Sequence, residues 1–284
     1  MKPAYRACLL TLLLSASPVA AQIDVDCKGA GQHVYLIGGG PAFTTWNLEP
    51  VQKTLAAHYR VCRWDMRGVG DNADLEISST QPALQKWIDD MATVLPEQPV
   101  ILWGHSWGAL QALLFTRRFP ERVKALVLNN PVDPGLESLV NIESKRYVHP
   151  YVESQLHIDD IDTPNETRHR FRSKIASYFK DARQGWEYSS AFRSQDTNNA
   201  LNVRIWEDYR KMKLSPVDMR GLAPKVGALI YCRQDVLMPE SMTAYSRLLP
   251  AARHAVLEDC AHFPWVESPD AFYEMLLGSL AEIR

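Results

Sequence analysis

Charge of one sign is what this chain most plainly lacks. Its 284 residues carry a formal net charge of −2, which gives no sign of binding to nucleic acid or another polyanion. Metal-site spacing is missing too. There is no C-x-x-C pair and no H-E-x-x-H, so neither structural zinc nor a catalytic metal is implied, and no cofactor is implied either. Internal repeats and low-complexity tracts are absent. Beyond residue 21 no segment is apolar for the roughly 20 residues that a membrane span needs. What is present is 46% hydrophobic residues, ample for a substantial core in one large domain or a domain with an insertion.

The first 21 residues do not read as part of a fold. A basic start with Lys2 and Arg6 precedes a short apolar core, Ala7 to Leu14, and a small-residue exit ending in Ala20-Ala21. That is the pattern of a secretory signal peptide cut after Ala21. Lys2 and Arg6 are its only charged residues, so cleavage takes the formal charge from −2 to −4. The expected protein is exported and soluble, either periplasmic or secreted. Of 5 cysteines, Cys8 lies in the leader, at the start of its apolar core and not at its exit, a poor place for lipid attachment. Cys27, Cys62, Cys232 and Cys260 remain. An even number in an oxidising compartment suggests two bridges with three possible connectivities, against the alternative of four buried thiols. Pairing neighbours along the chain gives Cys27–Cys62 and Cys232–Cys260.

Apolar strands alternate with helix-like stretches, the signature of an α/β fold with a mostly parallel sheet flanked by helices. Strands are expected at His33–Ile37, Tyr59–Trp64, Val100–Trp103, Arg122–Leu128, Val226–Cys232 and Arg253–Leu257. Helices are expected at Trp46–His58, Gln81–Leu95, after residue 108, at Ser241–Leu249 and from Ser268-Pro269-Asp270 to about Ile283, with proline at the first helical position. The alternation breaks between residues 132 and 222. That stretch is polar, with helix-like pieces at Thr167–Asp181 and Ala200–Lys213 and a loop at Asp159–Asn165. It reads as a helical cap inserted into a core made of residues 22–131 and 223–284.

The most informative motif is Gly104-His105-Ser106-Trp107-Gly108. It follows the apolar run Val100–Trp103 and precedes a helix-favouring stretch. Strand, G-x-S-x-G, helix is the context of a nucleophile elbow, which exposes a serine on a sharp turn. A serine hydroxyl needs a base, and the base needs an orienting acid. On such folds they follow in the order Ser, Asp or Glu, His, each on a loop after a strand. Asp235 follows the strand 226–232 and His262 follows the strand 253–257. Ser106 is therefore the expected nucleophile, Asp235 the acid and His262 the base, with Asp133 the runner-up acid. His105 is expected to pack under the elbow. An oxyanion hole needs two backbone N–H donors. One is expected from Trp107, the other from Gly38-Gly39-Gly40-Pro41 after the first long strand.

These stretches resemble the α/β-hydrolase superfamily over nearly the whole mature chain, and within it the proline iminopeptidase family of serine aminopeptidases. The residues that carry the resemblance are Gly38-Gly39-Gly40-Pro41-Ala42, Asp65-Met66-Arg67-Gly68-Val69-Gly70-Asp71, the elbow, Cys232-Arg233-Gln234-Asp235 and Asp259-Cys260-Ala261-His262. Among the departures from the family pattern, Gly38 stands for a histidine, His105 for a glycine and Asp71 for a serine. The resemblance implies that Gly40 gives the second oxyanion amide and that Asp65 and Arg67 brace the loops beneath the site. Residues 26–62 also resemble exported α/β hydrolases, which supports a Cys27–Cys62 bridge.

An aminopeptidase must take hold of a free α-amino group, which the family does with acidic cap residues. Glu187, in Trp186-Glu187, and Glu207, in Trp206-Glu207-Asp208, are the candidates. The resulting expectation is an exported serine hydrolase that cleaves a short peptide or aminoacyl amide through an acyl-enzyme. The alternative is a carboxylesterase or lactonase acting on a small ester. More remote is a non-catalytic binding protein on a hydrolase scaffold. The expected partner is a small molecule or short peptide, not nucleic acid.

Overall fold

The computed structural model describes residues 22–140, 142–146, 150–155 and 164–283. The expected signal peptide and residues 159–163 of the expected loop lie outside them.

Seven strands form one sheet: β1 (Asp26–Lys28), β2 (His33–Ile37), β3 (Arg60–Arg63), β4 (Val100–His105), β5 (Val123–Asn129), β6 (Val226–Cys232) and β7 (His254–Leu257). Their spatial order is β1-β3-β2-β4-β5-β6-β7. All neighbours are parallel except β1, which runs antiparallel to β3 at the edge. β4 thus sits in the middle, and its C-terminal end carries the elbow.

Alternate residues of the central strands go to opposite faces, and both faces are buried, as in parallel sheets generally. In β2 and β4, Val34, Leu36, Ile101 and Trp103 join one apolar cluster, while Tyr35, Ile37, Val100 and Leu102 join the other. α1 (Glu49–Leu55) covers the first face with Val51 and Leu55. α2 (Ala83–Val94) and α3 (Trp107–Arg118) cover the second with Leu84, Trp87, Ile88, Leu110 and Leu113. Truncating one such buried leucine to alanine costs about 2–5 kcal/mol.

Between β5 and β6 the described chain holds α4 (Ile142–Lys145), α5 (Pro150–Glu153), α6 (Pro164–Ala176), α7 (Ala182–Ser189), α8 (Asn199–Met212) and α9 (Pro216–Leu222). α10 (Glu240–Leu248), α11 (Pro264–Glu267) and α12 (Pro269–Ala281) complete the chain. α12 returns Phe272, Leu276 and Leu280 to the face covered by α1.

The elements depart from expectation in specific places. β1 has no counterpart in the sequence reading. It is held by Cys27, which pairs across the ladder with Cys62 and is bonded to it. The helix expected at Trp46–His58 is a 3-10 turn, Trp46–Leu48, followed by α1. The helix expected to run to Asp181 stops at Ala176. Asp181 instead caps α7, accepting from the amides of Arg183 and Gln184 at 2.8 and 3.0 Å, which is a better use of aspartate than a helix end. Pro164 and Asn165, expected in a loop, open α6. Pro269 takes the first helical position of α12, with Ser268 at the N-cap, but the Ser268 side chain makes no capping bond.

Candidate active site

Ser106 joins β4 to α3 with φ 55° and ψ −119°, a positive φ that a residue with a Cβ rarely adopts. The two elbow glycines explain how the turn closes. A Cβ on Gly104 would lie 2.6 Å from the Gly108 carbonyl oxygen, and one on Gly108 would lie 2.1 Å from that of Ile37. Neither approach tolerates a side chain. Strand and helix therefore meet tightly enough to push Ser106 out at the end of the sheet.

Asp235 and His262 come from the loops after β6 and β7, and the structure brings them together. His262 Nδ1 lies 2.9 Å from Asp235 Oδ2, with both residues buried. A carboxylate accepts, so Nδ1 carries the proton in this bond, which leaves Nε2 as the basic nitrogen. Asp235 Oδ1 accepts from the Leu237 amide at 3.0 Å, fixing the carboxylate plane. Ser106 and His262 share the wall of one cavity. The second disulfide, Cys232–Cys260, ties the Asp235 loop to the His262 loop. Asn130 does the same by hydrogen bonds: its Oδ1 accepts from the Cys232 amide at 2.8 Å and its Nδ2 donates to the Ala261 carbonyl at 2.9 Å.

Asp133 is placed otherwise. Both its oxygens accept backbone amides, those of Glu137 and Ser138, at 2.8 Å each. It closes the turn after β5, and its hydrogen bonds are to these backbone amides, whereas Asp235 is the carboxylate bonded to His262. His105 lies beneath the site. Its Nε2 is 2.9 Å from the His262 carbonyl oxygen, and its ring packs 4.6 Å from the His262 ring and edge-on to Trp265. Complete burial, and secondarily the neighbouring His262, hold its pKa well below the usual imidazole value.

Gly40 has φ 124°, and Gly40 and Ser106 line the same cavities. Trp107 is the first residue of α3, so its amide is among those the helix cannot satisfy internally. Asp65 accepts from the Thr45 amide and hydroxyl at 2.6 and 2.9 Å and from the Asp71 amide at 3.2 Å. Burial raises its pKa against those bonds. Arg67 grips Asp90 with two bonds of 2.7 and 3.0 Å. Asp65 thus ties the loop after β3 to the one after β2, and Arg67 ties it to α2.

Three contributors carried no signal in the sequence. Tyr178, after α6, stacks on the His262 ring at 4.7 Å, and its carbonyl accepts the His262 amide at 3.0 Å. Glu267 accepts from the amides of Ala261 and Phe263, on either side of His262, at 3.0 and 3.2 Å. Thr44 lines the small cavity beside Ser106. Tyr178 and Thr44 reach the site from segments distant in the chain, which no local spacing encodes, whereas Glu267 bonds amides only six and four residues back.

A cavity of about 470 Å³ opens on Ser106, a size suited to a small ligand. Asn202, Trp206 and Arg210, four residues apart on α8, present one stripe of that helix to it. Arg146, Lys174 and Tyr178 also line it. Among its described lining residues none is acidic. Glu187 and Glu207 are both exposed and are not among the lining residues. Helix geometry is the reason. Glu207 sits one position, about 100°, around from Trp206. α7 uses Gly185, Trp186 and Ser189 for its buried face, which turns Glu187 outward.

Residues 32–269 match a family model described as alpha/beta hydrolase fold. The chain is 26% identical over 274 residues to a 2-hydroxy-6-oxo-2,4-heptadienoate hydrolase from Pseudomonas putida, covering 89% of this chain and 90% of that protein. It is 23% identical to a proline iminopeptidase from Heyndrickxia coagulans, over 88% of this chain and 91% of that one. Among solved structures, an esterase from Thermogutta terrifontis superposes with a TM-score of 0.65 at 18% identity, over 92% of this chain and 93% of the esterase.

Proposed function

Because the chain belongs to the α/β hydrolase fold family, we propose that Ser106, His262 and Asp235 form the triad of a serine hydrolase for small carboxylate-bearing esters. The observation that carries the triad is the 2.9 Å Asp235–His262 bond beside a cavity wall shared with a strained Ser106. His262 Nε2 takes the Ser106 proton as Oγ attacks the carbonyl carbon. The amides of Trp107 and Gly40 hold the oxyanion, each such donor contributing about 3–4 kcal/mol to the transition state. His262 then gives its proton to the departing alkoxide. Water attacks the acyl-enzyme, His262 takes its proton, and acid is released as the proton returns to Ser106.

The substrate reading follows from the main cavity. The described residues lining it include three basic side chains, Arg146, Lys174 and Arg210, and no acidic one, which favours a substrate with a carboxylate away from the reacting carbonyl. An α-ammonium group would meet cations there, while Glu187 and Glu207 face solvent. That ranks the ester reading above the aminopeptidase reading. The Pseudomonas putida relative is named for a substrate that is itself a carboxylate. In this reading residues 132–222 are a cap over a core of residues 22–131 and 223–284, and supply most of the specificity. The two disulfides favour an oxidising compartment, periplasmic or extracellular, reached by export. Among the described residues no helix is long and apolar enough to cross a membrane.

The test is turnover of p-nitrophenyl acetate, the mono-p-nitrophenyl ester of succinate and prolyl β-naphthylamide. The expected order has the succinate ester ahead of the acetate in kcat/KM by about tenfold, one charge-assisted contact. Ser106→Ala abolishes both activities and labelling by a fluorophosphonate. Arg210→Ala raises KM for the succinate ester alone. Turnover of the prolyl amide without ester turnover restores the aminopeptidase reading, and failure to label the serine points to a non-catalytic scaffold.

A further inference from the structure

Ser106 borders two cavities, and the smaller is the one whose wall it shares with His262. It measures about 40 Å³, and its lining includes Gly39, Thr44, His105, Ser106 and His262. A water molecule needs about 10–15 Å³ of such space, so this cavity takes one to about three waters. Phe43, Ile175, Phe192 and Phe263 make much of its wall apolar, and two polar atoms set in that wall are unsatisfied. Thr44 Oγ1 and His105 Nδ1 have no hydrogen-bond partner among the described residues, although Thr44 is only 6% exposed and His105 only 2%. Buried polar atoms in folded proteins have partners, ordered water included.

The chemistry of the two atoms is complementary to water. The His262 carbonyl can only accept, so His105 Nε2 carries the ring proton and Nδ1 presents a bare lone pair. Burial keeps the ring neutral. Thr44 offers a hydroxyl that donates or accepts. Gly39 keeps the space open. A Cβ there would lie 3.3 Å from His105 Nδ1 and 3.2 Å from Ser106 Cβ, so the acceptor and the nucleophile's own carbon border the same point.

We propose that this cavity is a water subsite serving the second half-reaction, with Thr44 and His105 as its polar walls. The proposal rests on the serine-hydrolase reading. The acyl group occupies the 470 Å³ cavity while water is held in the small one. The water oxygen forms the new bond to the acyl carbon as one of its protons passes to His262 Nε2. The Ser106 Oγ–acyl bond then breaks, the His262 proton goes to Oγ, and the free acid leaves. No further reactant is needed. Thr44 and His105 are positioning residues, since they hold the water and do not touch the acyl group.

Partition of the acyl-enzyme between water and added methanol isolates this half-reaction whichever step limits turnover. The ratio of methyl ester to free acid is measured with p-nitrophenyl acetate for wild type, Thr44→Val, Thr44→Ser and Gly39→Ala. Thr44→Val keeps the shape and removes the hydroxyl. It raises the ratio about fivefold, the effect of one lost hydrogen bond, while Thr44→Ser stays near wild type. Gly39→Ala fills the space and moves the ratio in the same direction, which covers the case of a Thr44→Val protein that does not fold. An unchanged ratio in the folded Thr44→Val or Gly39→Ala protein overturns the subsite. Wild-type turnover no greater than that of Ser106→Ala overturns the serine-hydrolase reading instead, and the subsite falls with it.

Discussion

Glu267 holds His262 from both sides through the main chain. Its Oε2 accepts the amides of Ala261 and Phe263, and its Oε1 accepts the Lys180 amide at 2.9 Å. One carboxylate therefore joins the loop of the proposed base to the segment that follows Tyr178. Three amides fit a group with two accepting oxygens and no donor.

Glu267→Gln breaks that match, because the amide nitrogen must face one of the donors. We expect kcat to fall about tenfold, the scale of a small misplacement of a catalytic group, with KM within twofold of wild type. Burial raises the Glu267 pKa against the three amide bonds. The unfolded chain releases this proton near pH 4.3, before the folded protein does. The Glu267 contribution to stability is thus greatest below that pH and falls as pH rises through the raised folded value. Urea unfolding from pH 4 to 7 should show this downward slope in the wild type minus Glu267→Gln difference. A flat difference would count against it.

The strain at Ser106 makes a separable prediction. Glycine accepts φ 55° without a Cβ penalty, whereas alanine does not. Ser106→Gly and Ser106→Ala should both be inactive. Ser106→Gly should be the more stable of the two by about 1 kcal/mol, after the larger backbone entropy of glycine is set against strain of about 1–3 kcal/mol. Thermal melts of the two proteins decide it, and equal melting temperatures would remove strain from the account.

Gly108→Ala should be far more damaging than an ordinary glycine substitution. Its Cβ would sit 2.1 Å from a backbone oxygen of the central sheet, where no side chain can yield. A loss above about 3 kcal/mol, or failure to fold, is expected. Gly221→Ala is the control, since its Cβ would meet nothing within 4 Å.

The two disulfides should differ in what they protect. Their sequence separations are 35 and 28 residues, so loop closure alone gives each about 3–4 kcal/mol. Replacing Cys27 and Cys62 by serine should lower stability and leave kcat near wild type, because the bridge fastens an edge strand. Replacing Cys232 and Cys260 should lower stability similarly and also cut kcat, because it frees the Asp235 loop from the His262 loop. Comparable kcat values in the two double variants would refute the distinction.

The sheet and the elbow were legible because their signals are local. β2 and β6 begin and end at the expected residues, His33–Ile37 and Val226–Cys232, since a buried parallel strand writes itself as a continuous apolar run. Asp235 and His262 were found by chain order and meet at 2.9 Å. β1 was missed because three residues, Asp-Cys-Lys, hold no period; only its pairing with β3 makes it a strand. Likeness to a motif singles out Glu187, with Glu207 as a second candidate, but a shift of one position along α8 separates Trp206 in the cavity from Glu207 in solvent. Tyr178, Glu267 and Thr44 act across the fold. Nothing in their flanking residues distinguishes them from other aromatic, acidic or hydroxyl side chains.

The stacking of Tyr178 on His262, with the Tyr178 carbonyl taking the His262 amide, bears on how this architecture can diversify. Specificity in such folds is often imagined as an interchangeable module above a fixed engine. Here a transplant of residues 132–222 from another hydrolase would carry off the proposed base's stacking partner and one of its main-chain anchors. Recombination at those borders should therefore yield slow enzymes before it yields new selectivities, unless an aromatic residue with an open carbonyl arrives at the same place.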